Sequence, residues 1–271
     1  MNPKKKCGTI AIIGQPNVGK STLLNYFVGT KLSITSRKAQ TTRYQLLGIC
    51  SDSDTQYIFV DTPGYQLRHL NMMNRSLNKT VHQALKDVDV ILFMIGPGVL
   101  DEIDNKILKM IPEVTPIVLA INKVDLLKEK SKLLGFIKEL DAIDRFEAIV
   151  PTSVKKSNNL EPLKHALKSF LPEQDFIFSK DELTDKNERF LSAEIVREKV
   201  FRLTGQELPY SIAVEIEKFE IIEGVRRIFA AIILDRDAHK PMIIGKNGKR
   251  LKEISTSSRR DMEKLFGSKV W

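Results

Sequence analysis

The sequence predicts an α/β fold, in which a domain with a mainly parallel sheet and helices on both faces precedes a smaller α+β domain. Over residues 9–171, short apolar runs alternate with amphipathic stretches. Such alternation indicates strands joined by helical crossovers, because parallel strands need long connections. After residue 188 the order changes to one helix, two strands and a basic helix. A chain of 271 residues is long enough to build two separate cores.

The apolar runs of the first part are short, rich in β-branched residues, and followed by turn residues or polar clusters. We interpret residues 9–13, 57–60, 90–95, 117–121 and 148–150 as strands, and residues 20–28 and 160–171 as helices. Residues 174–187 show no clear period and are predicted to be a linker. We therefore expect domains at residues 1–173 and 188–271. In the second, residues 189–203 are predicted to be helical, and residues 211–217 and 227–234 to be strands.

Positive charge is concentrated at the end of the chain. The net charge is +9, and residues 224–271 alone carry 12 Lys and Arg against 5 Asp and Glu. Such an excess attracts a phosphate-rich partner, although a solvated basic surface has the same composition. Two cysteines without a pairing spacing favour a reducing compartment. No apolar run approaches the roughly 20 residues of a membrane span, and we expect a cytoplasmic protein.

Residues 14–21, Gly-Gln-Pro-Asn-Val-Gly-Lys-Ser, fit the phosphate-loop motif G-x-x-x-x-G-K-[ST] between a strand and a helix. Its glycines let backbone N–H groups wrap phosphates, the lysine reaches the outer phosphates, and the serine hydroxyl ligates Mg²⁺. We expect nucleotide contacts from Gly14, Gln15, Pro16, Asn17, Val18, Gly19, Lys20, Ser21 and Thr22.

Two further stretches complete the predicted phosphate and metal site. Residues 61–64, Asp-Thr-Pro-Gly, follow the second apolar strand and alone would be an ordinary turn. After a phosphate loop, Asp61 is expected to hold Mg²⁺ through a water, and Gly64 to place its N–H against the γ-phosphate. Thr62 and Pro63 belong to the same expected contact set. A threonine from the polar stretch at residues 38–43 can complete the metal shell.

The base is expected to be read by residues 122–125, Asn-Lys-Val-Asp, after a buried strand. The carboxylate of Asp125 can accept from both the ring N–H and the exocyclic amine of guanine, whereas adenine offers no such pair of donors. A helix N-cap is the alternative, but it explains neither Asn122 nor Lys123. Ser153 and Val154 lie in a later loop from which backbone groups can reach the base oxygen.

A second phosphate-binding motif occurs near the end of the chain. Residues 243–250 contain G-x-x-G before a basic helix, a loop that clamps about four single-stranded nucleotides. Leu251, Ile254, Met262 and Leu265 are predicted to form the core face of that helix. Alone the motif is common, and helix solvation also explains the charges. The expected RNA contacts are Ile244, Gly245, Lys246, Asn247, Gly248, Lys249, Arg250, Lys252 and Arg259.

Together these loops resemble the translation-factor-like GTPases over residues 8–171, and the match is close to the Era family. Residues 40–43, Gln-Thr-Thr-Arg, are similar to that family's switch-one motif, and residues 189–211 to its junction helix and first KH strand. The resemblance implies a P-loop GTPase domain followed by a type II KH domain. It also implies Thr42 as the threonine ligand of Mg²⁺.

The resemblance implies a slow GTPase that binds 16S-type ribosomal RNA near its 3′ end and assists assembly of the small subunit. It implies a monomer, with weak association with the inner membrane surface. Tyr65 stands where signalling GTPases carry a water-orienting glutamine, and Gln66 is out of register. In similar proteins the asparagine corresponding to Asn17 holds K⁺ against the phosphates, and the alternative role for Asn17 is to brace the loop. The family also ends with a further apolar strand, whereas this sequence ends at Trp271.

Two alternatives differ in the role of the nucleotide. In the first, the chain is an RNA-binding scaffold with guanine nucleotide as a structural ligand. In the second, it is a P-loop enzyme that uses ATP. Measured GTP turnover distinguishes the scaffold from a GTP-hydrolysing switch, and the preference for guanine or adenine distinguishes the ATP-using enzyme from it.

Overall fold

The computed structural model describes residues 4–35, 42, 44–65, 78–81, 83–204 and 212–271. The described residues form two compact units. The first unit contains the described residues up to Gly29 and those from Thr42 to Asp185. The second unit contains the described residues between Thr30 and Thr41 and those from Lys186 to Trp271. Within the described ranges, no helix is both long and apolar enough to cross a membrane.

The first unit is built on a six-stranded sheet with strand order β2-β3-β1-β4-β5-β6. Only β2 is antiparallel to its neighbour, and the other pairs are parallel. This arrangement confirms the predicted mainly parallel sheet. The strands are β1 (Lys6–Gly14), β2 (Leu46–Ser51), β3 (Thr55–Asp61), β4 (Val90–Ile95), β5 (Ile117–Ile121) and β6 (Ala148–Pro151).

In the described ranges, the helices that flank the sheet include α1 (Lys20–Val28), α2 (Glu102–Met110), α3 (Lys130–Asp141) and α4 (Leu160–Ser169). Every residue of β4 and β5 is buried. Burial on both faces explains why these strands are continuous apolar runs without alternation. Because the parallel strands end at one edge, the loops after β1, β3 and β5 come together there.

Strand β2 was not predicted from the sequence. Gly48 interrupts its apolar residues, and a Cβ atom on that glycine would lie 2.4 Å from Cδ1 of Leu24. The glycine therefore lets α1 pack closely against the strand. The outer edge of β2 is covered by the segment predicted to be a linker, since Ile49 N–H donates to the Leu183 carbonyl at 2.9 Å. Residues 174–185 thus cluster with the first unit.

The second unit contains α5 (Glu188–Leu203), β7 (Ile212–Ile222), β8 (Val225–Leu234), α6 (Lys240–Ile244) and α7 (Lys249–Phe266). Strands β7 and β8 are antiparallel. The hydrophobic core of the second unit includes Ile195 and Val200 of α5 and Ile254 and Met262 of α7. Leu251, predicted to lie in that core, is 38% exposed, because it stands at the edge of a groove along β8.

The last residues of the sequence pair with β8. The amide of Trp271 donates to the Arg226 carbonyl at 2.8 Å, and Ile228 N–H donates to the Trp271 carbonyl at 2.9 Å. Val270 forms a parallel bridge with Arg226 and is buried. Val270 and Trp271 therefore pair with β8 in the way that an added edge strand does. The resemblance implies such a strand at the end of the KH domain.

Candidate functional site

The phosphate loop joins β1 to α1, and two of its glycines are required by geometry. Gly14 has φ +144° and Gly19 has φ +116°, values that side chains with a Cβ rarely adopt. A Cβ atom would lie 2.2 Å from the Met94 carbonyl oxygen at Gly14, and 2.4 Å from Asn122 Nδ2 at Gly19. Strand β4 and the residue that follows β5 therefore lie directly against this loop, both on the same side of β1.

Lys20 is buried at the centre of the loop. Its ammonium donates to the carbonyl oxygens of Gly14 at 3.0 Å and Gln15 at 2.8 Å. Burial lowers the pKa of Lys20 to about 8, although the negative charge of Asp61 opposes the shift. A phosphate group would offer this ammonium a full negative charge in place of two carbonyl dipoles.

Ser21, Thr42 and Asp61 meet in one cluster beside Lys20. Oδ2 of Asp61 lies 3.1 Å from the Ser21 hydroxyl and 3.2 Å from the Thr42 hydroxyl. The two hydroxyls are 3.1 Å apart. The sequence motifs predicted all three residues as metal ligands, and the structure brings them together. Two hydroxyls and one carboxylate are hard oxygen donors of the kind that Mg²⁺ prefers, so the residues present fit this ion.

The loop after β3 packs directly on the phosphate loop. A Cβ atom on Gly64 would lie 2.9 Å from both Cα and N of Pro16. Thr62 anchors the start of this loop, because its hydroxyl donates to the Ile12 carbonyl at 2.8 Å. Only glycine fits at position 64, and its backbone lies against the phosphate loop.

Asn122 and Lys123 hold the phosphate loop from the β5 side. Asn122 Nδ2 donates to the Val18 carbonyl at 2.7 Å, and Lys123 Nζ donates to the Asn17 carbonyl at 2.5 Å. The Asn122 side chain is buried, and its Oδ1 accepts from the backbone N–H of Val154 at 3.1 Å. One asparagine therefore ties together the loops after β1, β5 and β6.

Asp125 is exposed, and its Oδ1 accepts from the Ser153 hydroxyl at 2.5 Å. A carboxylate held in this way has remaining acceptor capacity for two donors on a base edge. The Val154 amide, expected to be open to the base oxygen, is instead occupied by Asn122. Thr152 belongs to the same loop as Ser153 but was given no role from the sequence. It is buried beside Asn122, with 3.5 Å between its Oγ1 and Oδ1 of the asparagine.

Tyr65 is partly buried and packs against the apolar cluster that includes Ile13 and Phe93. It follows Gly64 directly, at the position where a water-orienting glutamine would stand. Gln40, Thr41, Arg43 and Gln66 lie outside the described residues.

The second motif forms a tight loop between α6 and α7. Gly245 has φ +70° and Gly248 has φ +73°, and Asn247 between them also has a positive φ. A Cβ atom on Gly245 would lie 2.8 Å from Cβ of Arg250, so the loop folds back on the first turn of α7. The guanidinium of Arg250 donates to the Met242 carbonyl, which fixes this turn.

Three cations at this loop and on the first turn of α7 have no partner in the described part of the chain: Lys246, Lys249 and Lys252. Arg259 has none there either, but it lies about 15 Å further along α7, at the groove beside β8. All four are exposed, as is Asn247. Ile244 is 45% exposed beside them. Unpaired cations next to a glycine loop form a surface that attracts a phosphate backbone.

Two family models match parts of this chain. Residues 9–123 match the family described as "50S ribosome-binding GTPase", and residues 207–271 match the KH domain family. The protein named GTPase Era in Nitrosomonas eutropha is 48% identical over 266 residues, which cover 98% of this chain and 90% of the relative. GTPase Era of Chromobacterium violaceum is 46% identical, with the same coverage.

The chain belongs to the Era family of GTPases. It is accordingly an enzyme that hydrolyses GTP, with a P-loop GTPase domain and a C-terminal KH domain.

Two solved Era structures have the same fold. One is Era in complex with MgGDPNP and nucleotides 1506–1542 of 16S ribosomal RNA, and the other is an Aquifex aeolicus Era variant bound to GDP·AlF4⁻. Each has a TM-score of 0.93 and 40% identity, covering 98% of this chain and 91% of the solved chain.

Proposed function

We propose that this Era-family GTPase binds small-subunit ribosomal RNA near its 3′ end through the loop between α6 and α7, and that the bound nucleotide controls this engagement. In this role it assists maturation of the small ribosomal subunit. The observation that carries the proposal is the set of three exposed, unpaired lysines, Lys246, Lys249 and Lys252, at the glycine loop and the first turn of α7 in the described part of the second unit. The solved Era complex with a 16S RNA fragment supports the same RNA class.

In the GTPase reaction, the nucleotide phosphates lie in the loop between Gly14 and Lys20. Lys20 turns from the two loop carbonyls to the outer phosphates and neutralises part of their charge. Ser21 and Thr42 would hold Mg²⁺ through their hydroxyls, and Asp61 through a water. When bound, this ion would withdraw charge from the phosphate oxygens.

The γ-phosphate is sensed by two groups of the switch regions. Thr42 contributes a hydroxyl next to Ser21, and Gly64 contributes its backbone N–H. Tyr65 packs into the core and does not orient the attacking water. The positive charge that an arginine finger supplies in other GTPases is assigned to K⁺, held by the exposed side chain of Asn17.

The purine is recognised by Asp125, which Ser153 orients by a hydrogen bond of 2.5 Å. Asn122 and Lys123 support this recognition by fixing the phosphate loop relative to the base site. A donor pair on guanine satisfies the carboxylate, whereas adenine leaves it without donors.

We assign residues 1–173 to the GTPase function and residues 188–271 to RNA binding. We further propose a cytoplasmic monomer with weak affinity for the inner membrane surface, since exposed lysines also attract acidic lipids. Sedimentation with vesicles containing anionic lipid tests the last point. Binding that is equal with neutral vesicles would contradict it.

The decisive experiment measures binding of the purified chain to an RNA of the 16S 3′ end, with a GTP analogue and with GDP. We expect tighter binding to this RNA than to a shuffled sequence, and a difference between the two nucleotides. Lys246→Ala should weaken binding, whereas Lys106→Ala, which removes a lysine already paired with Glu102, should not. Equal affinity for shuffled RNA would overturn the proposed RNA target.

Turnover separates a switch from a scaffold. GTP hydrolysis that the RNA stimulates supports the switch, and an absence of GTP turnover in potassium-rich buffer favours the scaffold. Turnover in KCl should exceed turnover in NaCl, and Asn17→Ala should remove the difference. Equal rates of GTP hydrolysis in KCl and in NaCl would contradict the assignment of K⁺ to Asn17.

A further inference from the structure

Asp101 lies outside every nucleotide motif, at the start of α2. It is the N-cap of that helix, and its Oδ1 accepts from the backbone N–H groups of Ile103 at 2.8 Å and Asp104 at 2.9 Å. Strand β4, which precedes it, pairs in parallel with β1. The carboxyl ends of both strands therefore lie at one edge of the sheet, where β1 continues into the phosphate loop.

The same carboxylate also holds the phosphate loop. Nε2 of Gln15 lies 2.8 Å from Oδ1 and 2.8 Å from Oδ2 of Asp101. Gln15 is the second residue of the loop, and its carbonyl oxygen accepts from Lys20. A continuous chain of contacts thus leads from the Asp101 carboxylate, through Gln15, to the ammonium that receives the phosphates.

Asp104 adds to the same arrangement. It is buried, and within the described ranges its Oδ1 has no hydrogen-bond partner. Burial raises the pKa of Asp104, the Gln15 amide opposes the shift, and the charge of Asp101 adds to it. The Gln15 amide thus faces two carboxyl groups, the exposed one of Asp101 and the buried one of Asp104.

We propose that Asp101 is a positioning residue for the GTPase reaction, which holds the phosphate loop in its nucleotide-binding shape through Gln15. The contact orders the loop before the nucleotide arrives, so less conformational freedom is lost on binding. Because the loop contacts the phosphates of GDP and GTP alike, the effect falls on the affinity for both nucleotides. This inference concerns nucleotide binding and does not depend on RNA.

Asp101→Asn tests the contact while it keeps the helix cap, since asparagine caps helices as well as aspartate does. Its single oxygen remains for the backbone N–H groups, and its NH₂ takes the place of Oδ2, one of the two oxygens that accept from Gln15. A donor then faces the Gln15 donor, which weakens the contact. With a fluorescent GDP analogue and the full chain, we expect dissociation about fivefold faster, the factor that one ordinary hydrogen bond is worth. KM for GTP should rise about equally, with kcat within about twofold.

Two further variants keep the test specific. Gln15→Ala removes the donor that faces both Asp101 and Asp104. The double variant should therefore dissociate GDP no faster than Gln15→Ala alone, because the contact that Asp101→Asn weakens is already absent there. Glu102→Gln is the matched control, since it removes a carboxylate from the first turn of the same helix without touching Gln15. It should leave GDP dissociation within about twofold of the unmodified chain.

Thermal unfolding of the nucleotide-free chain completes the design. The proposal requires that Asp101→Asn unfold at the same temperature as Glu102→Gln. A loss of stability specific to Asp101→Asn, single effects that multiply in the double variant, or GDP dissociation unchanged by Asp101→Asn would each overturn it.

Discussion

Nδ2 of Asn122 lies 2.4 Å from the position that a Cβ atom would take on Gly19. The amide also donates to the Val18 carbonyl, so it has no room to retreat without giving up that bond. A residue of the base-reading loop thus determines which side chain the phosphate loop tolerates.

Gly19→Ala should therefore abolish nucleotide binding, with a loss of at least about a hundredfold in GDP affinity. The substitution combines a strained φ of +116° with the clash against Asn122. Calorimetry with GDP gives the affinity. Gly29→Ala is the control, because Gly29 also has a positive φ but would meet no atom within 4 Å. It should cost about 1 kcal/mol of stability and leave GDP affinity unchanged.

GDP affinity should fall above pH 8. In the free protein the pKa of Lys20 is lowered to about 8, and anionic phosphates raise it again on binding. Binding then takes up a proton, and the Kd for GDP should rise by up to about tenfold per pH unit above 8. Titrations between pH 7 and 9 measure this slope.

Lys20→Arg provides the control, because arginine stays charged over that range. Its Kd should change little between pH 7 and 9, although its absolute affinity is lower. If the Kd for GDP rose with pH equally in the unmodified chain and in Lys20→Arg, a group other than Lys20 would be responsible for the pH dependence.

Asp125→Asn should move base preference from guanosine to xanthosine nucleotides. Asparagine supplies a donor that matches the carbonyl of xanthine, where guanine carries its amine. We expect GTP affinity to fall at least about a hundredfold, and XTP to bind more tightly than GTP. Competition against fluorescent GDP measures both. Undiminished GTP affinity in this variant would contradict the role of Asp125 in base recognition.

Lys31→Met should destabilise the second unit by about 2 kcal/mol. Lys31 forms ion pairs with Glu198, which is 1% exposed, and with Asp261 at 2.7 Å. Glu198 keeps Arg202 at 2.6 Å, which limits the loss. Trp271 is the only tryptophan and lies in this unit, so its fluorescence during urea unfolding reports the change.

A second substitution in the same unit shows whether burial matters. The pair between Lys240 and Asp237 is largely exposed on both sides. Lys240→Met should therefore cost less than about 0.5 kcal/mol. If Lys31→Met and Lys240→Met reduced the free energy of unfolding by similar amounts, the burial of Glu198 would not explain the effect of Lys31.

Lys252→Ala should weaken RNA binding and reduce its salt dependence. One phosphate contact on a single strand contributes about 0.7 to the slope of log K against log salt. We expect the slope to become less negative by that amount, for matched and shuffled RNA alike, because the contact is to the backbone. Filter binding from low to high KCl gives the slope. An unchanged slope would place Lys252 outside the interface.

The nucleotide site was largely predictable because each of its parts is a short motif with a mechanical reason for its spacing. The motifs alone assign Ser21 and Asp61 to one metal site, and in the fold these residues lie within hydrogen-bond distance. The parallel sheet was predictable because β4 and β5 are buried on both faces and leave continuous apolar runs.

What the sequence did not reveal depends on contacts between distant residues. Gln15 and Asp101 are 86 positions apart, and nothing local distinguishes Asp101 from an ordinary helix cap. Strand β2 escaped detection because Gly48 is needed for close packing by α1 and weakens the apolar run. Leu251 has helical spacing from the core residues, but the groove beside β8 leaves it at the surface.

The second unit is assembled from two stretches of the chain, since Lys31 contributes to the charges around Glu198 on α5. During synthesis, Lys31 leaves the ribosome long before its partners on α5 and α7 have been translated. The charge cluster is therefore completed only after Asp261 has been added, and this unit finishes folding last. An excised fragment that begins at Lys186 would contain the buried glutamate without its lysine.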